Sequence, residues 1–284
     1  MEERMSSAKR PFDSEGRAYH IGLRPGEVSR YVLMPGEVER AYRIARSWDE
    51  FRELSKRREY SSYRGKYRGV DVTVISSGIG GPAVAIAVEE LLDLGVDTII
   101  RVGSTGAIQD YIDVGDIVIT AAAVRMDGTS GQYAPAGYPA SANHEVVMAL
   151  IEAAEELGVR YHVGVTASTD SFYVGQGRPG HGGYYPSWSR GLMDDLRQMR
   201  VLNFEMESAT LLTLGNIYGF RAGAVHAVYA QRVRDEFVAH AGEDDLIKVA
   251  NEAVRILHEW DEVKGRSGKR MFYPSLLRTY GQSP

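Results

Sequence analysis

The chain has 284 residues, 44% hydrophobic and 25% charged, an ordinary balance for a soluble globular protein. Its formal net charge of -5 offers no global attraction to nucleic acid or to an anionic membrane, so any anion must be held by locally placed arginines. The lack of cysteine excludes disulfides, thiolate metal sites and cysteine nucleophiles.

Residues 1–17 read as a polar, flexible arm, and Met1 to Asp13 lack the apolar core of a secretory signal. No apolar run approaches the ~20 residues that span a bilayer, so a cytoplasmic protein without membrane contact is expected. Val70–Ser76 reads as a strand, followed by the turn Gly78-Ile79-Gly80-Gly81-Pro82 and a helix through Leu94. Pro82 suits a first helical turn, where its missing N–H costs nothing. Thr98–Val102, Asp116–Ala122 and Val163–Ser168 are further strands, while Asn143–Leu157 and Met206–Tyr218 read as helices. A last helix over Asp244–Val263 puts Leu246, Ala250, Ala253, Leu257 and Trp260 on one face. The alternation predicts an α/β fold over residues 18–263. It is a single domain of three α/β/α layers around a central mixed, largely parallel sheet. Residues 264–284 form a basic tail in which Phe272, Tyr273, Leu276 and Leu277 could dock on the body or on a partner.

Three glycine-containing turns follow apolar strands: Met34-Pro35-Gly36, Ser77 to Gly81, and Arg101 to Gly106. Glycine admits a ligand to the backbone, and N–H groups at a helix start favour an anion, although a tight turn needs neither. The second turn lacks GxGxxG spacing, and no GxxxxGK[ST] loop is present, so dinucleotide and nucleoside triphosphate sites are not expected. Arg101 interrupts a run suited to a buried strand. A buried guanidinium must face a carboxylate or an anionic ligand, and Ser104 and Thr105 add hydroxyl donors beside it. A second polar cluster, Asn203-Phe204-Glu205-Met206-Glu207-Ser208, lies where a strand enters a helix. Its acids could cap that helix or accept hydrogen bonds from a sugar diol.

Together Ile79–Leu91 (IGGPAVAIAVEEL), Arg101–Gln109 (RVGSTGAIQ), Val163–Gln176 (VGVTASTDSFYVGQ) and Asn203–Leu212 (NFEMESATLL) resemble the nucleoside phosphorylase-I family. The resemblance runs from about Tyr19 to Trp260. It implies splitting of uridine by phosphate into uracil and ribose 1-phosphate, with deoxyuridine and thymidine as further candidate substrates. By the same resemblance Gly36, Arg40, Arg101 and Ser104 bind phosphate, and Arg58 reaches in from a neighbouring subunit. Met206 and Glu207 hold the ribose diol, and His20 of the neighbour bonds the 5′-hydroxyl. Phe172, Gln176 and Arg178 form the base pocket with Arg232 behind. Arg101, Glu207, Gln176 and Arg178 carry the catalysis.

Family members share sites between subunits, which implies a homo-oligomer of at least two chains, with hexamers among bacterial members. Phosphate is a co-substrate, and no metal or organic cofactor is implied. Bacterial members bind a monovalent cation between subunits. Glu59 and Ile79 match two of its ligands, but Ala83 stands where the third, a serine, is expected. Purine-cleaving members carry a Ser-Asp pair after the strand matching Ala222–Ala230; here Ala230-Gln231-Arg232 offers no acid. Tyr229 stands where the family has an aliphatic residue near the base. A purine or methylthioadenosine phosphorylase of the same fold and a non-catalytic nucleoside-binding protein are the competing readings.

Overall fold

The computed structural model describes residues 7–280, so the first six residues of the N-terminal arm and the last four of the basic tail lie outside the described residues. In chain order, β1 (Tyr31–Pro35) leads into α1 (Val38–Arg46), and β2 (Glu50–Arg57), β3 (Tyr60–Tyr67) and β4 (Val70–Ile75) form an antiparallel meander. Next come α2 (Gly81–Asp93), β5 (Thr98–Ala107), β6 (Ile117–Met126), α3 (Gly128–Tyr133), β7 (Ala140–Ser141) and α4 (His144–Leu157). After β8 (Tyr161–Thr169) follow the short α5 (Ser187–Arg190) and α6 (Leu192–Gln198), then β9 (Val201–Glu205) and α7 (Ser208–Tyr218). The chain ends with β10 (Arg221–Gln231), β11 (Glu236–Phe237), α8 (Glu243–Ser267) and α9 (Pro274–Tyr280).

All the strands join one mixed sheet. Strands β4, β1, β5 and β10 run parallel to one another, as do β6, β8 and β9. Antiparallel pairings of β10 with β6 and of β5 with β9 join the two groups, so the sheet closes on itself as a five-stranded ring with β1 to β4 as an open wing. Strand β1 is buried on both faces because helices cover both, which is why it reads as a continuous apolar run. Tyr31 and Leu33 face α1, α4 and α8, while Val32 and Met34 face α2 and α7.

Local signals explain the element ends. The Asn143 side chain accepts from the backbone N–H groups of Glu145 and Val146 at the start of α4, and Gly158 closes that helix in the left-handed region. Helix α7 begins at Ser208, two residues later than sequence patterning predicts, because Glu205 still belongs to β9. Helix α8 extends four residues beyond Val263. Phe272 stacks on Trp260 with ring centroids 3.8 Å apart, and Leu276 is buried with it. In the N-terminal segment, Asp13 binds Arg57 at 2.6 Å and Phe12 pairs with Ala18. The β2–β3 hairpin was not foreseen. The basic Lys56-Arg57-Arg58 run lies at its tip, with Arg58 at φ 53°.

Candidate active site

The carboxyl ends of β1, β4 and β9 converge with the middle of β5, where a sheet of this kind leaves a crevice. Arg101 projects from β5 and is 5% exposed. Its Nε donates to Glu205 Oε2 at 3.0 Å, and its Nη2 donates to Glu207 Oε2. Its Nη1 is buried and has no partner among the described residues. The arginine therefore faces the carboxylates that a buried guanidinium requires, and one nitrogen is left without a partner among the described residues. Gly36 stands beside that nitrogen: a Cβ there would lie 3.9 Å from Nη1 and 3.1 Å from the Gly78 carbonyl oxygen. Ser104, half-buried, is three residues further along the same strand.

The two glutamates have opposite electrostatics. Burial works against charge on Glu205, but the neighbouring His226, the Arg101 guanidinium and the Ser168 hydroxyl hold its carboxyl well below the usual carboxylate range. Its oxygens also accept the backbone N–H groups of Glu207 and Ser208, so it caps α7. Glu207 is pushed up to about 7, chiefly by burial and further by the charge of Glu205, against the pull of Arg101. Gly80 N–H donates to Glu207 Oε1 at 2.6 Å. Gly80 adopts φ 92°, a conformation only glycine takes readily, and this aims its N–H at the carboxylate. Met206, between the two acids, is half-buried.

Arg40 is almost wholly buried and fully engaged. Its Nε donates to Glu243 Oε1 at 2.6 Å, Nη2 to the Tyr229 hydroxyl at 3.0 Å and Nη1 to the Val102 carbonyl at 3.3 Å. It thus reaches β5 next to Arg101, with each of its three nitrogens already holding a protein partner. Tyr229, expected near the base, joins this cluster instead, because its hydroxyl also donates to Glu243 Oε2 at 2.9 Å. Glu37, His240 and Glu243 bring three potential metal ligands together. Arg40 and Arg43 already bind the Glu243 carboxylate, at 2.6 and 2.7 Å, so guanidinium groups do the work a cation would do.

A second cluster gathers the residues expected at the base. Gln176 is buried in a short turn, and its Oε1 accepts from Arg178 Nη1 at 2.6 Å. Arg178 Nη1 also donates to the Phe172 carbonyl, and its guanidinium sits 4.0 Å from the Phe172 ring centroid. Burial, aided by the nearby Arg232 charge, lowers Arg178 to about 10. Arg232 Nη2 donates to the Gln176 carbonyl at 3.1 Å, while its Nη1 is buried without a partner among the described residues. Neither arginine has a carboxylate within ion-pair distance among the described residues. Two such cations beside a carboxamide suit a ligand that gains negative charge. Phe172 is 50% exposed, leaving a ring face for stacking.

His20 and Arg58 lie elsewhere. His20 Nδ1 is 2.6 Å from Glu90 Oε1, and the Arg58 guanidinium sits 6.0 Å from the ring of Tyr19. Among the described residues neither shares a hydrogen bond or ion pair with the Arg101–Glu207 cluster. Glu59 packs beneath Gly78, and Ile79 projects with 78% of its surface exposed. The buried carbonyl of Ala83 accepts from the Tyr60 hydroxyl at 2.9 Å.

Several contributors went unforeseen. Gly80 acts through its backbone, which a side-chain pattern does not reveal. Ser168 and Glu243 gave no signal above ordinary polar residues. His226 interrupts the apolar run of β10 as Arg101 interrupts that of β5, and the same reasoning would have found it.

The profile of the Phosphorylase superfamily matches residues 30–259. A protein named uridine phosphorylase from Thermococcus kodakarensis is 60% identical over 97% of this chain and 99% of its own length. The proteins of that name from Salmonella typhimurium and Escherichia coli are 42% and 41% identical, each over 86% of this chain and 99% of their own.

Proposed function

The chain belongs to the phosphorylase superfamily, and from that premise we propose that it cleaves uridine with inorganic phosphate, giving uracil and ribose 1-phosphate. It is a pentosyltransferase acting in nucleoside salvage. The observation that carries this reading is the buried, unpartnered Nη1 of Arg101 next to Gly36, in a cluster whose other polar edge is the Glu207 carboxylate.

Cleavage of the glycosidic bond develops positive charge on ribose and negative charge on the departing base. Phosphate held by Arg101, with Gly36 and Ser104 beside it, is both the counter-charge for the sugar cation and the nucleophile at C1′. Arg40 adds positive potential there and joins phosphate once a donor turns from Glu243 or Tyr229. Glu207 accepts from the ribose diol, with Met206 against the sugar. Fixing phosphate and sugar in one site replaces an encounter by a positioned reaction, worth up to ~7–11 kcal/mol in favourable cases.

On the base side Gln176 offers an acceptor and a donor to the pyrimidine edge, Phe172 stacks, and Arg178 with Arg232 stabilises the charge gathering on uracil. The arginines act most strongly in the transition state, since uridine itself is neutral. Phosphate serves as co-substrate, and the reaction needs no metal or organic cofactor. Ala83 in place of a serine argues against a cation at Glu59 and Ile79.

We further propose that the active unit is a homo-oligomer, at least a dimer and by family precedent a hexamer, working in the cytoplasm. The separation of His20 and Arg58 from the Arg101 cluster supports their delivery to a neighbour's site, and exposed Tyr19 lies beside both. A panel of uridine, inosine and methylthioadenosine, each with phosphate, tests the assignment. Uridine is expected to be cleaved in large preference, and faster turnover of either purine nucleoside would overturn it.

A further inference from the structure

His226 lies in the middle of β10 and has no exposed surface. It stands in register with Gly103 of β5, where a Cβ would fall 2.7 Å from the imidazole Cδ2, so the ring occupies the space that glycine leaves. Its Nδ1 is 3.4 Å from Thr120 Oγ1 and its Nε2 is 3.4 Å from Ser208 Oγ.

The surrounding hydroxyls fix the position of its proton. Asn203 Nδ2 donates to Thr105 Oγ1 at 2.7 Å, leaving Asn203 Oδ1 to accept from Thr166 at 3.0 Å. The single Thr166 proton is then used, so the 2.7 Å contact between Thr120 and Thr166 is donated by Thr120. Thr120 therefore accepts from His226 Nδ1–H. At the far side of the ring the Ser208 hydroxyl is buried, and the bare Nε2 is its hydrogen-bond acceptor. Burial lowers the His226 pKa, opposed by the Glu205 carboxylate and aided by the Arg101 and Arg40 charges. Glu205 Oε2 stands 3.6 Å from Nε2, beyond hydrogen-bond reach, so its charge remains available to Arg101.

Ser208 links this ring to the anion site. Its backbone N–H is shared by both oxygens of Glu205, each at 3.0 Å, and Glu205 in turn receives Arg101 Nε. We propose that His226 is a positioning residue for phosphate: by holding Ser208 through Nε2 it fixes Glu205, and with it the direction in which Arg101 presents its free Nη1. The inference rests on the reading of Arg101 as the phosphate ligand.

The test compares His226→Gln with His226→Asn in the full-length protein. A glutamine carboxamide reaches roughly to the Nε2 position and can accept from Ser208, whereas asparagine reaches only to Nδ1 and Thr120. His226→Asn is expected to raise the KM for phosphate roughly tenfold, as for loss of one oriented hydrogen bond, with the KM for uridine within about twofold. His226→Gln is expected to stay within about threefold of wild type in both. Equal phosphate defects in the two variants, or a uridine KM that moves as far as that for phosphate, would overturn the proposal. Imidazole nitrogen NMR on the unsubstituted protein provides a check that needs no variant: Nδ1 is expected to carry the proton, and the opposite tautomer would overturn the argument. Phosphate affinity measured by calorimetry on the same proteins separates the two readings. A wild-type protein that binds phosphate and leaves uridine intact would overturn the uridine assignment. A His226→Asn affinity equal to wild type would overturn the positioning role.

Discussion

Arg101 donates through Nη2 to Glu207, so the residue assigned to phosphate is bonded directly to the residue assigned to ribose. The contact places the nucleophile and the sugar in one electrostatic unit, with Glu205 behind it holding Arg101 Nε.

Glu207 is the first place to look. Because its folded pKa is raised to about 7, acidification through that value converts an acceptor of ribose hydroxyls into a partial donor. The ratio of kcat/KM for uridine to that for 2′-deoxyuridine cancels the titration of phosphate. It is expected to rise with pH through about 7 and to level off above. Glu207→Gln should remove this rise and cost uridine about 1.5–3 kcal/mol in kcat/KM, the worth of a hydrogen bond to a charged group. Equal losses for the two nucleosides would show that Glu207 does not read the 2′-hydroxyl.

The base cluster separates binding from chemistry. Gln176→Ala removes a matched donor and acceptor and is expected to cost ~2–4 kcal/mol in kcat/KM. Arg178→Ala should lower kcat more than it raises KM, since its charge matters as uracil departs. Steady-state kinetics on both variants decide this. A pure KM effect in Arg178→Ala would assign that residue to ground-state binding.

Sharing of the site between subunits is testable by exchange. Arg58→Ala and Arg101→Ala should each be impaired, and mixing them under exchange conditions should regain activity as hybrid oligomers form some intact sites. No gain, with exchange verified by mass, would place Arg58 outside the site.

Stability has its own centre at the opposite end of β10. Arg221 donates twice to Asp261, at 2.9 and 2.7 Å, and Tyr31 and Lys264 reach the same carboxylate. Burial opposes charge on Asp261 and Glu145, but Arg221 and Lys264 hold both below their usual range. Their contribution is present above the unfolded carboxylate pKa and lost as pH falls through the folded values, so the Tm should drop in acid. Asp261→Asn should cost about 2–4 kcal/mol at neutral pH, because it leaves the part-buried Arg221 undercompensated, and should weaken that acid dependence. Denaturant titration at two pH values checks both, and an unchanged midpoint would contradict the account.

The sequence made the four longest helices and several strands legible because their signals are local: the Asn143 cap, Pro82 in a first turn, the apolar stripe of the last long helix. It also exposed Arg101, since a cation in an apolar strand has few physical excuses. What it did not show was long-range. Closure of the sheet through β5 and β9 depends on pairing Gly106 with Phe204, far apart in the chain. The anchoring of Arg40 depends on Glu243, 203 residues away. The roles given to His20 and Arg58 came from resemblance alone, because no pattern within one chain says that a side chain serves another copy.

The central claim is phosphorolysis of uridine, and the most direct measurement is uracil release from uridine by purified protein with and without inorganic phosphate, with the sugar product identified. The account predicts uracil and ribose 1-phosphate in equal amounts, with release dependent on phosphate and strongly reduced in Arg101→Ala. Equal release without phosphate, yielding free ribose, would make the enzyme a hydrolase and contradict it.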